Sequence, residues 1–142
     1  MRQDQLQRWI DEAEIRDLIV RIGMIRAFGS PEDYAAMFTT DAVWERPPGA
    51  DGEPSTHGLE AELAHFRDNI AAKISGPGSH AHHIIPSSVI TLDGDAADAL
   101  SQLIFVNNAD AKPNIVKMWI VRDELVRTAQ GWRIRRRRME KP

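Results

Sequence analysis

The feature that most constrains the fold is a change of hydrophobic period at His80. Before it, apolar residues recur at helical spacing: Leu6, Trp9, Ile10 and Ala13, then Ile15, Leu18, Ile19, Ile22 and Ile25. After it, four β-rich runs follow: "HHIIPSSVITL", "DAADALSQLIFVNN", "NIVKMWIVRDELVRT" and "WRIRRRRM". Helices first and a meander of long strands afterwards predicts an α+β protein. The strands are expected to curl and the helices to pack on the concave face.

Punctuation refines the helical half. Gly29-Ser30-Pro31 ends the first helix, with Ser30 as N-cap and Pro31 as first residue of a short second helix that buries Tyr34, Met37 and Phe38. "DAVWERP" reads as a strand stopped by Pro47-Pro48, and "PPGADGEPST" as a turn-rich loop. "GLEAELAHFRDNIAAKI" is a third helix closed by "SGPGS". Asp93-Gly94-Asp95 supplies hairpin chemistry, and Ala129-Gln130-Gly131 a second tight turn. The 142 residues predict one domain over 1–142, large enough for a core and a small-molecule pocket.

Composition narrows the function. A net charge of -3 gives no global reason for nucleic acid or an anionic membrane. No cysteine is present, which removes disulfides, thiolate metal sites and cysteine nucleophiles. The polar N-terminus is unlike a signal peptide, and no apolar run approaches the ~20 residues of a membrane span. The expectation is a cytoplasmic protein with no membrane and no nucleic-acid partner. Arg133–Arg138 fits that view. In a strand its arginines divide between two faces, and one set can pair with the acidic "RDEL" strand.

Three histidines, His80, His82 and His83, open the β half. As strand residues, His80 and His82 share one face and His83 takes the other. Only two can then converge, short of the three or four ligands zinc needs, and His57 and His65 add no ligand spacing. No metal is expected. Trp119, opposite in parity to Met118 and Ile120, is placed to line a pocket, and Trp44 is a second candidate.

Several stretches together resemble the SnoaL-like branch of the NTF2-like superfamily. They are "EIRDLIVRI", "YAAMFTTDAVWE", "HGLEAELAHF", the histidine followed by "VITLDGDAA", and "RDELVRTAQGWRIRRRRM". The resemblance spans nearly the whole chain. It implies the cystatin-like cone of scytalone dehydratase, polyketide cyclases and ketosteroid isomerase: a curved mixed sheet wrapped around three helices, with an internal apolar pocket. It also implies a homodimer through the β-sheet and no cofactor. Its catalytic histidine falls on His83. The tyrosine and aspartate that usually assist it fall on Ile22 and Ala27. Asp33, Glu45 and Asp123 are the carboxylates that could substitute.

Two functions follow. The first is a cofactor-independent lyase, dehydratase or isomerase acting on an apolar ring-containing molecule. His83 moves the proton, and Ile22, Ala27, Phe38, Trp44, Phe105 and Trp119 form the pocket. The second is a non-catalytic ligand-binding or protein-interaction cone, in which Ile22 and Ala27 replace the reactive groups.

Overall fold

The computed structural model describes residues 2–47 and 53–142. Helix α1 runs Gln3–Phe28, α2 Pro31–Ala35 and α3 Leu59–Ala71. The strands are β1 (Phe38–Glu45), β2 (Thr56–His57), β3 (His82–Ile84), β4 (Ser88–Asp93), β5 (Ala96–Asn107), β6 (Asn114–Thr128) and β7 (Gly131–Glu140). Pro48–Gly52, within the expected loop, lies outside the described residues.

The sheet order is β2-β1-β7-β6-β5-β3, with β4 also on β5. All pairings are antiparallel except β1 on β7, which makes the sheet mixed. The run expected as one strand from His82 to Leu92 is two. Pro86, which lacks an N–H, lies between them, and the halves pair separate stretches of β5. His80 is not a strand residue. It sits before β3 with a left-handed φ of 55°, and its carbonyl accepts from Ala109.

Local rules account for the helices. Ser30 and Asp33 form a reciprocal capping box at α2, with Pro31 in the first turn. The buried stripe of α1 is Ile15, Leu18, Ile19, Ile22, Gly23, Arg26 and Ala27, at spacings of three and four. The stripe packs with Phe38, Trp44, Phe66, Val121, Leu125, Trp132 and Ile134 into the core. Two charged residues share it, Asp11 toward one end and Arg26 at the other. Gly23 is where α1 meets the histidine strand. A Cβ built there would lie well inside 3.0 Å of the His83 carbonyl oxygen.

Candidate functional site

Four elements bring polar groups to the C-terminal end of α1. Arg26 enters from α1, Tyr34 from α2, Glu62 from α3 and His83 from β3. Glu62 is fully buried. Its Oε1 accepts from Arg46 Nη2 at 3.0 Å and Thr56 Oγ1 at 2.7 Å. Its Oε2 accepts from the same Arg46 nitrogen at 2.8 Å and from the Tyr34 hydroxyl at 3.1 Å. Burial, with Glu62 alongside, pushes the Tyr34 phenol up to about 12, so Tyr34 stays a donor to Glu62.

Arg26 is placed differently. It is 7% exposed, and its Nη1 stands 3.7 Å from Glu62 Oε2, beyond hydrogen-bond range. Among the described residues its one hydrogen bond runs from Nη2 to Ser75 Oγ at 3.4 Å, and its Nε is buried without an acceptor. The guanidinium lies over the Phe66 ring at 4.6 Å and the Tyr34 ring at 5.6 Å.

Beside Arg26 is a cavity of about 50 Å³. His83, Phe105 and Trp119 line it, with Leu103, Ile74 and Met139 as further apolar wall. Arg26, Ser75, Lys117 and Glu53 complete the lining. The His83 ring meets Phe105 edge-on at 4.8 Å. The residue keeps some exposure, but its Nδ1 is sealed from solvent and has no hydrogen-bond partner among the described residues. Burial holds the imidazole well below its usual 6.5, and the neighbouring cations Arg26, Lys117 and Arg137 push the same way. His83 is therefore neutral at pH 7.

The expected pocket is redrawn by this geometry. Phe105 and Trp119 lie on the cavity wall with His83. Ile22, Ala27, Phe38 and Trp44 are buried in the packed core and do not line it. Phe38 and Trp44 instead pack against the Tyr34 ring, tilted at 4.8 Å and stacked at 6.4 Å between centroids respectively. The three candidate carboxylates are engaged elsewhere. Asp33 caps α2, Glu45 pairs with Arg136 and Arg138, and Asp123 accepts from Arg137 at 2.8 and 2.9 Å. None hydrogen-bonds His83.

Arg26, Arg46 and Glu62 escaped the sequence reading, although a signal was present. Arg26 stands four residues after Ile22 on the apolar stripe, and Glu62 four before Phe66. A charge in phase with an apolar face is a buried charge. No three His, Asp or Glu side chains come together as a metal site among the described residues. His80 instead faces Asp110 at 3.6 Å on the surface.

The curved mixed sheet over helices, with a small interior cavity, defines the cystatin-like cone class. A family model for the SnoaL-like domain matches residues 7–138, and the chain belongs to that family, within the NTF2-like superfamily. Solved structures agree on the fold. An NTF2-like protein with a cystatin-like fold from Novosphingobium aromaticivorans has a TM-score of 0.84 at 22% identity, covering 97% of this chain and 86% of that one. An aromatic ring hydroxylase candidate from the same organism has a TM-score of 0.75 at 21% identity, with coverages of 92% and 88%. A dehydratase candidate of the NTF2-like family from Streptomyces avermitilis gives 0.75 at 12% identity, with coverages of 94% and 96%. A comparison with curated proteins gives no significant match. At these identities the likeness is one of fold. No helix among the described residues is long and apolar enough to cross a membrane.

Proposed function

We propose that the protein is a small cofactor-independent enzyme, a lyase, dehydratase or isomerase, acting on an apolar ring-containing molecule with His83 as the proton-transfer group. The observation that carries this reading is His83, its Nδ1 buried without a partner among the described residues, on the lining of a cavity shared with Phe105 and Trp119. A neutral imidazole is the form that accepts a proton. The C–H bond next to a substrate carbonyl breaks, an N–H bond forms on His83, and the electron pair moves to the carbonyl oxygen as an enolate. Arg26 and Lys117, both on the cavity lining, supply positive charge for that oxygen. The imidazolium then returns its proton to another carbon in an isomerase, or to a departing β-hydroxyl, released as water, in a dehydratase.

Among the described residues no carboxylate hydrogen-bonds the imidazole, and the charged groups nearest it include cations. Burial first, and then these cations, hold His83 neutral; the cations also favour the enolate, while making the imidazolium short-lived. The test is solvent exchange: aryl ketones incubated in D2O and followed by NMR. The wild type is expected to deuterate the carbon next to the carbonyl, with His83→Ala at least about a hundredfold slower. Equal rates would sink the proposal.

A second reading, a non-catalytic binding protein, draws on the cavity's size. About 50 Å³ is far below the ~300 Å³ of a typical ligand pocket. A ring enters only if side chains at the cavity turn aside, and the unbranched Met139 is the most adaptable of them. Pairing of two copies through the sheet belongs to either reading. Val89, Leu100 and Met118 are exposed on strands β4, β5 and β6.

A further inference from the structure

Glu62 is the acid through which Arg26 would ordinarily be explained, and its capacity is taken. A carboxylate offers about four lone-pair sites. Those of Glu62 are met by Arg46 twice, Thr56 and Tyr34, all within 3.1 Å. Arg26 lies outside this set at 3.7 Å. Its planar fork has five N–H donors, of which one makes a hydrogen bond, a long one to Ser75. Glu53, the acid on the cavity lining, faces Arg46 Nε at 3.8 Å and His65 Nε2 at 3.9 Å. Asp123 is held bidentate by Arg137. A buried guanidinium on a cavity wall, with unused donors and no acid hydrogen-bonded to it among the described residues, matches a planar anion that accepts two parallel hydrogen bonds.

We infer that Arg26, with the Ser75 hydroxyl, forms a carboxylate-binding subsite, and that the ligand of this cavity is a ring compound carrying a carboxylate. This rests on the reading of the cavity as a ring pocket and adds a chemical handle to it. The ring lies against Phe105 and Trp119, and the carboxylate points to the guanidinium at the end of α1. Arg26 then sets specificity, because a neutral isostere leaves the buried donors unmet.

The probes are benzoate and benzamide, equal in shape and different in charge, titrated by calorimetry into wild type, Arg26→Gln, Arg26→Lys and His83→Ala. The wild type is expected to prefer benzoate by about tenfold or more. Arg26→Gln should erase the preference, Arg26→Lys should keep part of it, and His83→Ala should keep most of it. An Arg Nε–H resonance of the wild type should move with benzoate and stay with benzamide, a readout that needs no variant to fold. Equal binding of the two probes, binding of neither, or a preference that survives Arg26→Gln would overturn the inference. Equal binding would leave the ring pocket and His83 chemistry standing. A benzoate preference without His83-dependent solvent exchange would do the reverse, keeping the subsite and removing the enzyme.

Discussion

Helix α1 carries a buried charge toward each end, Asp11 and Arg26, about 22 Å apart at helical rise. At the Asp11 end the polar groups answer one another. Arg127 donates to both Asp11 oxygens at 2.7 and 2.9 Å and sends its Nε to Asp95 at 2.9 Å. The Trp132 indole and Gln7 add two further donors to Asp11, both at 3.1 Å. At the Arg26 end, Glu62 is saturated, while Arg26 Nε, Arg46 Nε and His83 Nδ1 lack hydrogen-bond partners among the described residues. The same helix thus holds one network that is complete and one that is open. A complete network specifies a fold. An open one carries a cost that only a ligand offsets, and such cost is characteristic of sites.

The contrast breaks most sharply at Glu62. Glu62→Gln removes the acid that Arg46 hydrogen-bonds and the charge that stands 3.7 Å from Arg26, leaving Glu53 at 3.8 Å as the acid beside Arg46 among the described residues. Urea denaturation should show a loss of about 3–5 kcal/mol. Asp11→Ala should cost roughly 2 kcal/mol at pH 7, because its partner Arg127 keeps a route to solvent. The acid profile of that variant checks the cause. Hydrogen bonds from Arg127 hold Asp11 at about 2 instead of 3.8, so its stabilisation is complete above 3.8 and fades as pH falls toward 2. The wild type should lose stability over that window more steeply than Asp11→Ala.

His83 gives a smaller effect of the same sign at a higher pH. Its imidazole is held below 6.5 when folded, so the unfolded chain takes up the proton first as pH falls. Stability is therefore full above 6.5 and declines below it, by up to about 1.4 kcal/mol per pH unit. Thermal melts of His83→Leu between pH 7 and 5 should show a flatter slope. His65, lowered chiefly by burial and then by Arg46, leaves a residual slope. The smallest change belongs to Arg26. Arg26→Met should stay within about 1 kcal/mol of wild type, since an under-bonded buried cation contributes little to stability. A loss as large as that of Glu62→Gln would show that the two ends of α1 are alike after all.

The fold was legible wherever one local rule acted alone. The stripe of α1, the Ser30–Asp33 box and the Asp93-Gly94-Asp95 turn are each written in a few adjacent residues. The arginine run was also readable, since Asp123 faces Arg137 and Glu124 faces Arg136 in the observed register. The break at Pro86 lay in plain view and was overridden by the β-rich residues on either side. The site was harder to read. Parity resolves neither Trp119 nor Trp44, because depth along the cone is a tertiary quantity; Phe38 and Trp44 pack in the core while Phe105 and Trp119 border the cavity. The bonding of Glu62 joins α2, α3, β2 and the end of β1, a meeting that no window of sequence contains.

Gly23 has a consequence for how such a protein can change over generations. Its missing side chain lets the backbone of β3 lie directly on α1 at His83. Any other residue there would lever the strand outward and lift the imidazole from its depth. Substitutions in the cavity walls can accumulate and retune what the cavity accepts, while this position admits no drift. The innovation of the site and the permanence of its geometry are thus assigned to different residues, and the permanent one has no side chain at all.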